Sequence, residues 1–111
     1  MQQQTTMIDI SEYAERPELW TTSSMAIDED DHVKGQAHIF DNENAIDVTV
    51  AVTSYDYERH GESRTNHVPH IVVSDPDGTI RQEPYARDSH DPRTAIKWAI
   101  QTAEWVYEEY R

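Results

Sequence analysis

The sequence predicts an α+β fold, a two-layer sandwich in which helices cover one face of an antiparallel meander sheet of four to five strands. Segment 45–57, "AIDVTVAVTSYDY", alternates apolar and polar residues, the pattern of a strand with one buried face. Segment 95–110, "AIKWAIQTAEWVYEEY", repeats apolar residues at helical spacing and predicts a long C-terminal helix. Turn-forming clusters such as "DPDG" at 75–78 separate the shorter apolar runs. We therefore expect a single domain over residues 1–111.

The N-terminal part predicts a short helix. Residues 1–7 are polar, and we expect them to be flexible. Asp9 and Glu12 then stand at the spacing of a capping box, which predicts a helix over 10–16. Pro17 has no amide hydrogen, so we expect the helix to end there.

The middle of the chain predicts strands joined by polar turns. The predicted strands are "TTSSMAI" (21–27), "HVKGQAHIF" (32–40), "AIDVTVAVTSYDY" (45–57), "HIVVS" (70–74) and "TIRQE" (79–83). On the clearest of them, the apolar face is formed by Ile46, Val48, Val50 and Val52. Segment 58–67, "ERHGESRTNH", is polar throughout, and we interpret it as a loop. Segment 84–91, "PYARDSHD", is predicted to link the last strand to the C-terminal helix.

The C-terminal helix carries more apolar surface than one contact with a sheet requires. Asp91 is a suitable N-cap and Pro92 suits the first helical position, so we expect the helix to run to about Tyr110. The stripe assigned to the sheet consists of Ile96, Ala99, Ile100, Ala103, Val106 or Tyr107, and Tyr110. A second line consists of Ala95, Trp98, Thr102 and Trp105.

Two interpretations of this second line remain open. The tryptophans are covered within the monomer, by the sheet edge or by the N-terminal helix with Leu19 or Trp20. Alternatively, Trp98, Thr102 and Trp105 form an exposed interface between copies, where tryptophan is enriched. A two-fold homodimer is the commonest use of such a surface.

Acidic residues strongly outnumber basic ones. There are 22 Asp plus Glu and nine Lys plus Arg, giving a formal net charge of −13. The acids are spread along the whole chain, so the charge belongs to the folded surface. Such a surface repels itself in dilute buffer, and molar salt, in which the screening length is about 3 Å, removes most of that repulsion. The composition resembles that of small uncharacterised haloarchaeal proteins and implies a cytoplasmic protein of a salt-in halophile, without implying any functional site.

The same composition excludes several functional classes. Its negative charge opposes direct binding to nucleic acid, to anionic membranes or to acidic substrates. The order of elements resembles the double-stranded-RNA-binding fold in outline. However, the start of the last helix offers only Arg93 and Lys97 as basic residues, and we transfer no function. The chain has no cysteine and no run of about 20 apolar residues. We predict no cofactor and no membrane span.

The remaining candidates for ligand or metal binding are four side chains: His67, His70, Arg87 and His90. His67 and His70 point to opposite faces if the segment is a strand, so we expect no shared metal ion. "DPDGTI" resembles part of a calcium loop, but Val73 and Pro84 would occupy its first and twelfth ligand positions. There is no phosphate-binding glycine loop and no serine in a nucleophile motif.

The sequence therefore predicts a non-enzymatic binding, regulatory or structural module that forms a homodimer. The alternative is a small enzyme or ligand-binding protein with its site near the 84–91 linker, using the four candidate side chains.

Overall fold

A computed structural model describes residues 5–83 and 87–111 of the chain, and it confirms the α+β class. The described strands are β1 (Thr6–Met7), β2 (Trp20–Ser23), β3 (Ala26–Ile27), β4 (Val33–Lys34), β5 (Gln36–Asp41), β6 (Ile46–Arg59), β7 (Glu62–Ser74) and β8 (Ile80–Glu83). One long helix, α1 (Pro92–Tyr110), follows them. Residues 84–86 of the predicted linker and 1–4 of the predicted flexible segment lie outside the described residues.

The strands form two open antiparallel sheets. The larger sheet has the order β2-β5-β6-β7-β8, so its last four strands are a meander. The smaller sheet, β1-β3-β4, was not predicted. It pairs Thr6 and Met7, from the end of the segment predicted to be flexible, with β3.

Gly35 marks the point where the chain passes from β4 in the small sheet to β5 in the large one. Its φ is +79°, a left-handed conformation that L side chains rarely adopt. A Cβ atom at this position would lie 2.1 Å from the carbonyl oxygen of Ser24. The predicted strand over 32–40 is therefore two strands, separated where only glycine fits.

The prediction of a loop over 58–67 is wrong. β6 and β7 continue as a long hairpin and are joined by the two residues His60 and Gly61 alone. Both turn residues have positive φ, +54° and +79°, as the mirror-image turns of tight hairpins require. The segment is polar because both sides of the hairpin arms near this turn are exposed.

The predicted helix over 10–16 is also wrong in extent. The chain forms two 3₁₀ turns, Ile10–Glu12 and Pro17–Leu19. Asp9 caps the first turn by accepting a hydrogen bond from the Ser11 amide. Beyond it, the amides of Glu15 and Arg16 donate to the carboxylate of Glu104 on α1, at 3.0 and 2.7 Å. An α-helix would need those amides for its own carbonyls, so the tertiary contact replaces helical hydrogen bonding.

The core lies between α1 and the large sheet. The predicted helix stripe is confirmed: Ile96, Ala99, Ile100, Ala103, Val106 and Tyr107 are buried, and Tyr110 is partly buried against the core. The predicted apolar face of β6, Ile46, Val48, Val50 and Val52, is buried as well. Asp91 is the N-cap, as predicted, and its carboxylate accepts from the Thr94 amide at 3.1 Å. Within the described residues, no helix has the length and apolarity needed to cross a membrane.

Candidate functional site

The predicted interface residues lie on the side of α1 that faces away from the sheet. Trp105 is 53% exposed, and Trp98 and Thr102 are half-buried. Ala95, which the sequence placed on the same line, is fully buried and belongs to the core. At 100° per residue, the other three positions are on the opposite side of the helix from the core stripe. We call Trp98, Thr102 and Trp105 the outer line.

The outer line borders a shallow cavity of about 390 Å³. Its other lining residues are Arg87, from the linker, and Gln101. The guanidinium carbon of Arg87 stands 5.3 Å from the ring centroid of Trp98, within the range of a cation–π contact. Arg87 therefore belongs to this surface, and it brings a positive charge to an otherwise acidic molecule.

The N-terminal segment contacts a different flank of α1. Trp20 donates its indole N–H to Glu104 at 3.3 Å, and Gln101 donates to the carbonyl of Tyr13 at 3.2 Å. Leu19 and Trp20 are partly buried and pack against the core. One interpretation of the sequence used Trp20 to cover the outer line. In the structure, its indole binds the buried carboxylate of Glu104.

The four candidate ligand residues separate into three places. His67 and His90 line one cavity of about 480 Å³ beside the first turn of α1. Arg87 lies at the outer line. His70 is on the outward face of β7, 3.4 Å from the side-chain amide of Gln82. His67 and His70 therefore point to opposite faces of the sheet, as predicted.

His67 is a buried histidine. It is 1% exposed, and its Nδ1 lies 2.7 Å from the hydroxyl oxygen of Ser54 on the neighbouring strand. The same hydroxyl oxygen accepts from the Val33 amide at 2.9 Å, so Ser54 connects the ring to the backbone of β4. Burial, and then the nearby His32, lower the pKa of His67 below its ordinary value, which favours the neutral ring.

A second polar network runs along the same hairpin arm. The carboxylate of Asp56 accepts from the Thr65 hydroxyl at 2.7 Å and contacts His32 Nε2 at 2.9 Å. These hydrogen bonds, that of Thr65 first, lower the pKa of Asp56. His90 donates its Nδ1–H to the Thr65 carbonyl at 3.0 Å. The His90 side chain is thereby fixed beside the cavity that His67 also lines.

The cavity presents polar groups without a positioned nucleophile. Its lining residues are Asp30, Asp31, Arg64, Thr65, His67, His90 and Pro92. Ser54 is not among them, so the Ser54–His67 contact orients the ring and does not present a serine hydroxyl to a substrate. Over residues 5–83 and 87–111, no group of three or more histidine or acidic side chains is arranged to hold a metal ion.

Sequence reasoning did not find Ser54, His32 and Asp56, whose side chains form the polar contacts around the His67 cavity. The signal for Ser54 was the "HG" pair at 60–61, which is a two-residue hairpin turn. Such a turn places residues equally distant from it opposite each other, and Ser54 faces His67 in this way. No protein-family model, curated protein or solved structure matches the chain, so its function is inferred from the surfaces described above.

Proposed function

We propose that this protein is a non-enzymatic binding or regulatory module that self-associates through the outer line of α1 in a two-fold dimer. The observation that carries the proposal is the 53% exposure of Trp105 beside a half-buried Trp98. Tryptophan and arginine are the residues most enriched at interface hot spots, and Arg87 lies over Trp98 in the same cavity.

The charges near the outer line support pairing of two copies. Most of the surface is acidic, so two copies repel each other over most approaches. At the outer line, Thr102 and the tryptophans are uncharged and Arg87 is positive. The residues that line this cavity therefore include no acid, and the nearest acid along the same side of α1 is Glu109, one turn beyond Trp105. The proposal takes the domain as a two-layer sandwich, which is supported by the burial of the α1 core stripe against the sheet.

Two substitutions of equal charge test the proposal. Thr102→Glu places a carboxylate within the outer line, where a two-fold axis brings it close to its copy. Lys97→Ala also lowers the net charge by one but changes an exposed residue off that line. In about 2 M KCl, where surface charges are strongly screened, light scattering should show the same associated state, at least a dimer, for the unmodified protein and for Lys97→Ala. Thr102→Glu should lower the mass. A monomeric unmodified protein, or an unchanged mass for Thr102→Glu, would contradict the proposal.

A small-molecule site at the His67 cavity is the second candidate function. It is favoured by the 1% exposure of His67, a buried polar ring that lines a cavity. The test is to add small amines and carboxylates one at a time while following the His67 ring signals by NMR. Saturable shifts confined to His67 and His90 would support this function, and their absence for every compound would count against it.

We further infer from the net charge of −13 that the protein works in the concentrated salt of a halophile's cytoplasm. Apart from the buried Glu104, the acids whose side chains the structure describes are exposed or partly exposed, and molar salt screens their mutual repulsion.

A further inference from the structure

The large sheet has a second face, opposite the one that packs against α1. Residues that point to this side alternate with the buried residues along each strand, and paired residues on neighbouring strands share a side. We call this surface the open face. Taken as far as the Tyr55–Asn66 pair, its members are Thr22, Gln36, His38, Phe40, Asp47, Thr49, Ala51, Thr53, Tyr55, Asn66, Val68, His70, Val72, Ser74, Ile80 and Gln82.

The open face is nearly free of formal charge. The chain has 22 acidic and nine basic residues, and Asp47 is the single one of them among these members. The charged Arg59, Glu62 and Arg64 lie on the same side only beyond them, at the tip of the hairpin. Large apolar side chains are exposed there instead: Phe40 by 49%, Tyr55 by 51% and Ile80 by 72%. A solvated sheet face on so acidic a protein would be expected to carry acids, so this composition is typical of a surface that is covered.

Asp47 is the charged member of the open face, and its side chain is 39% exposed. Its Oδ1 atom alone is buried, without a hydrogen-bond partner within the described part of the chain. The ring of His38 is near this atom, but its Nδ1 is 3.7 Å away, too far for a hydrogen bond. The exposed part of the carboxylate is the charge that a partner would have to satisfy with donors.

We propose that the open face is an interface between two copies of this chain, distinct from the outer line of α1. A partner with a charged surface would have to give up the hydration of its charges against an uncharged sheet. A second copy instead presents the same flat, nearly charge-free surface, because a two-fold contact uses the same patch on both chains. It also offers donors for Asp47, in the form of threonine hydroxyls and the side-chain amides of Gln36 and Gln82.

The size of the face fits such a contact. Four strand spacings of about 4.8 Å and eight residue steps of about 3.3 Å give a surface of roughly 20 by 26 Å. Each copy would then contribute about 500 Å², and the pair would bury about 1,000 Å², the lower limit for a specific interface. With the outer line on the opposite side of the molecule, two different contacts would build assemblies larger than a dimer.

The experiment compares the masses of four proteins in about 2 M KCl: the unmodified chain, Val72→Glu, Thr102→Glu and the double variant. Val72 lies on the open face between Thr49 and Gln82, so a carboxylate there meets its copy across a two-fold axis. We expect the unmodified chain to exceed a dimer, each single variant to be a dimer and the double variant to be a monomer. An unchanged mass for Val72→Glu overturns the open-face interface. An unchanged mass for Thr102→Glu overturns only the outer-line interface.

Two further variants separate loss of the contact from loss of the fold. Ser63→Glu adds the same charge to an exposed position of β7 outside the open face and should keep the mass of the unmodified chain. Ile80→Ser removes an apolar side chain that is 72% exposed, without adding charge, so the fold should tolerate it. If Val72→Glu unfolds, the test rests on Ile80→Ser. Weaker association of folded Ile80→Ser supports the open-face interface, and unchanged association overturns it.

Discussion

Two buried polar residues of this protein are accommodated by different means. Glu104, 5% exposed, has donors for both carboxylate oxygens: the amides of Glu15 and Arg16 and the indole of Trp20. His67 has one fixed partner, the Ser54 hydroxyl, and burial favours its neutral form. Glu104 is therefore a structural anchor, whereas His67 is a group whose charge state responds to its surroundings.

The stability of the fold should depend on pH through His67. Its pKa in the folded state lies below the ordinary value of 6.5, so the unfolded chain binds a proton first as the pH falls. The stabilising contribution of the neutral ring is therefore complete above pH 6.5 and is lost as the pH falls toward the folded-state pKa. His67→Asn keeps an acceptor for the Ser54 hydroxyl but does not titrate. Urea unfolding from about pH 7.5 to about pH 5 should show a shallower loss of stability for this variant.

The control for this experiment is His60→Asn. His60 is exposed in the hairpin turn at positive φ, a conformation that asparagine tolerates. This variant should keep the pH profile of the unmodified protein. Parallel profiles for His67→Asn and the unmodified protein would mean that His67 does not couple stability to pH.

Among the elements, the helix and the inner strand face were predictable and the hairpin was not. Helical and strand periodicity act over neighbouring residues, so the core stripe of α1 and the apolar face of β6 follow from the sequence. The arms next to His60–Gly61 are polar on both sides and show no such periodicity. The predicted N-terminal helix was wrong in extent for a different reason. The amides of Glu15 and Arg16 donate to Glu104, a residue distant in the sequence, and not to helical carbonyls.

The candidate surfaces also differ in how far they could be predicted from the sequence. The outer line was found from spacing on a single helix, since Trp98, Thr102 and Trp105 repeat at helical intervals. The Ser54–His67 contact and the open face depend on the pairing register of neighbouring strands. A register shift of one residue exchanges the two faces of a strand, so these surfaces required the position of the hairpin turn.

The junction between the two sheets should be the most sensitive backbone position. Gly35 and Gly61 share the same φ of +79°, but only at Gly35 would an added Cβ meet another atom, the Ser24 carbonyl. Gly61→Ala should therefore cost only the strain of a left-handed residue, about 1 kcal/mol of unfolding free energy. Gly35→Ala should cost a further amount of about 1–3 kcal/mol, as overpacking does. Chemical denaturation measures both, and equal losses would show that the Ser24 contact relaxes freely.

At the level of the whole molecule, charge is distributed unevenly over the surface. The net charge of −13 is carried by turns, hairpin arms and helix flanks, whereas the open face holds Asp47 alone. The protein therefore combines strong overall repulsion with the two surfaces that we propose as interfaces between copies. Association and folding should both respond to salt, because both bring like charges together.

The unfolding free energy should rise with potassium chloride concentration. Raising KCl from about 0.1 M to about 2 M shortens the screening length from about 10 Å to less than 3 Å, which removes most surface repulsion. Urea denaturation at several KCl concentrations measures the effect, and the double variant Val72→Glu/Thr102→Glu separates it from association. Equal stability of that variant at low and high salt would contradict the high-salt adaptation.

The contact between Glu104 and the segment near Trp20 also has a consequence for synthesis. A ribosome makes Glu15 and Arg16 long before residue 104, and their amides do not have the Glu104 carboxylate as acceptor until the last helix is made. The β-meander can pair as it emerges, because each strand follows its neighbour. The N-terminal segment can form its hydrogen bonds to Glu104 only after α1 has packed on the sheet. Its ordering is therefore expected to be the final event of folding and to report that the whole domain has been made.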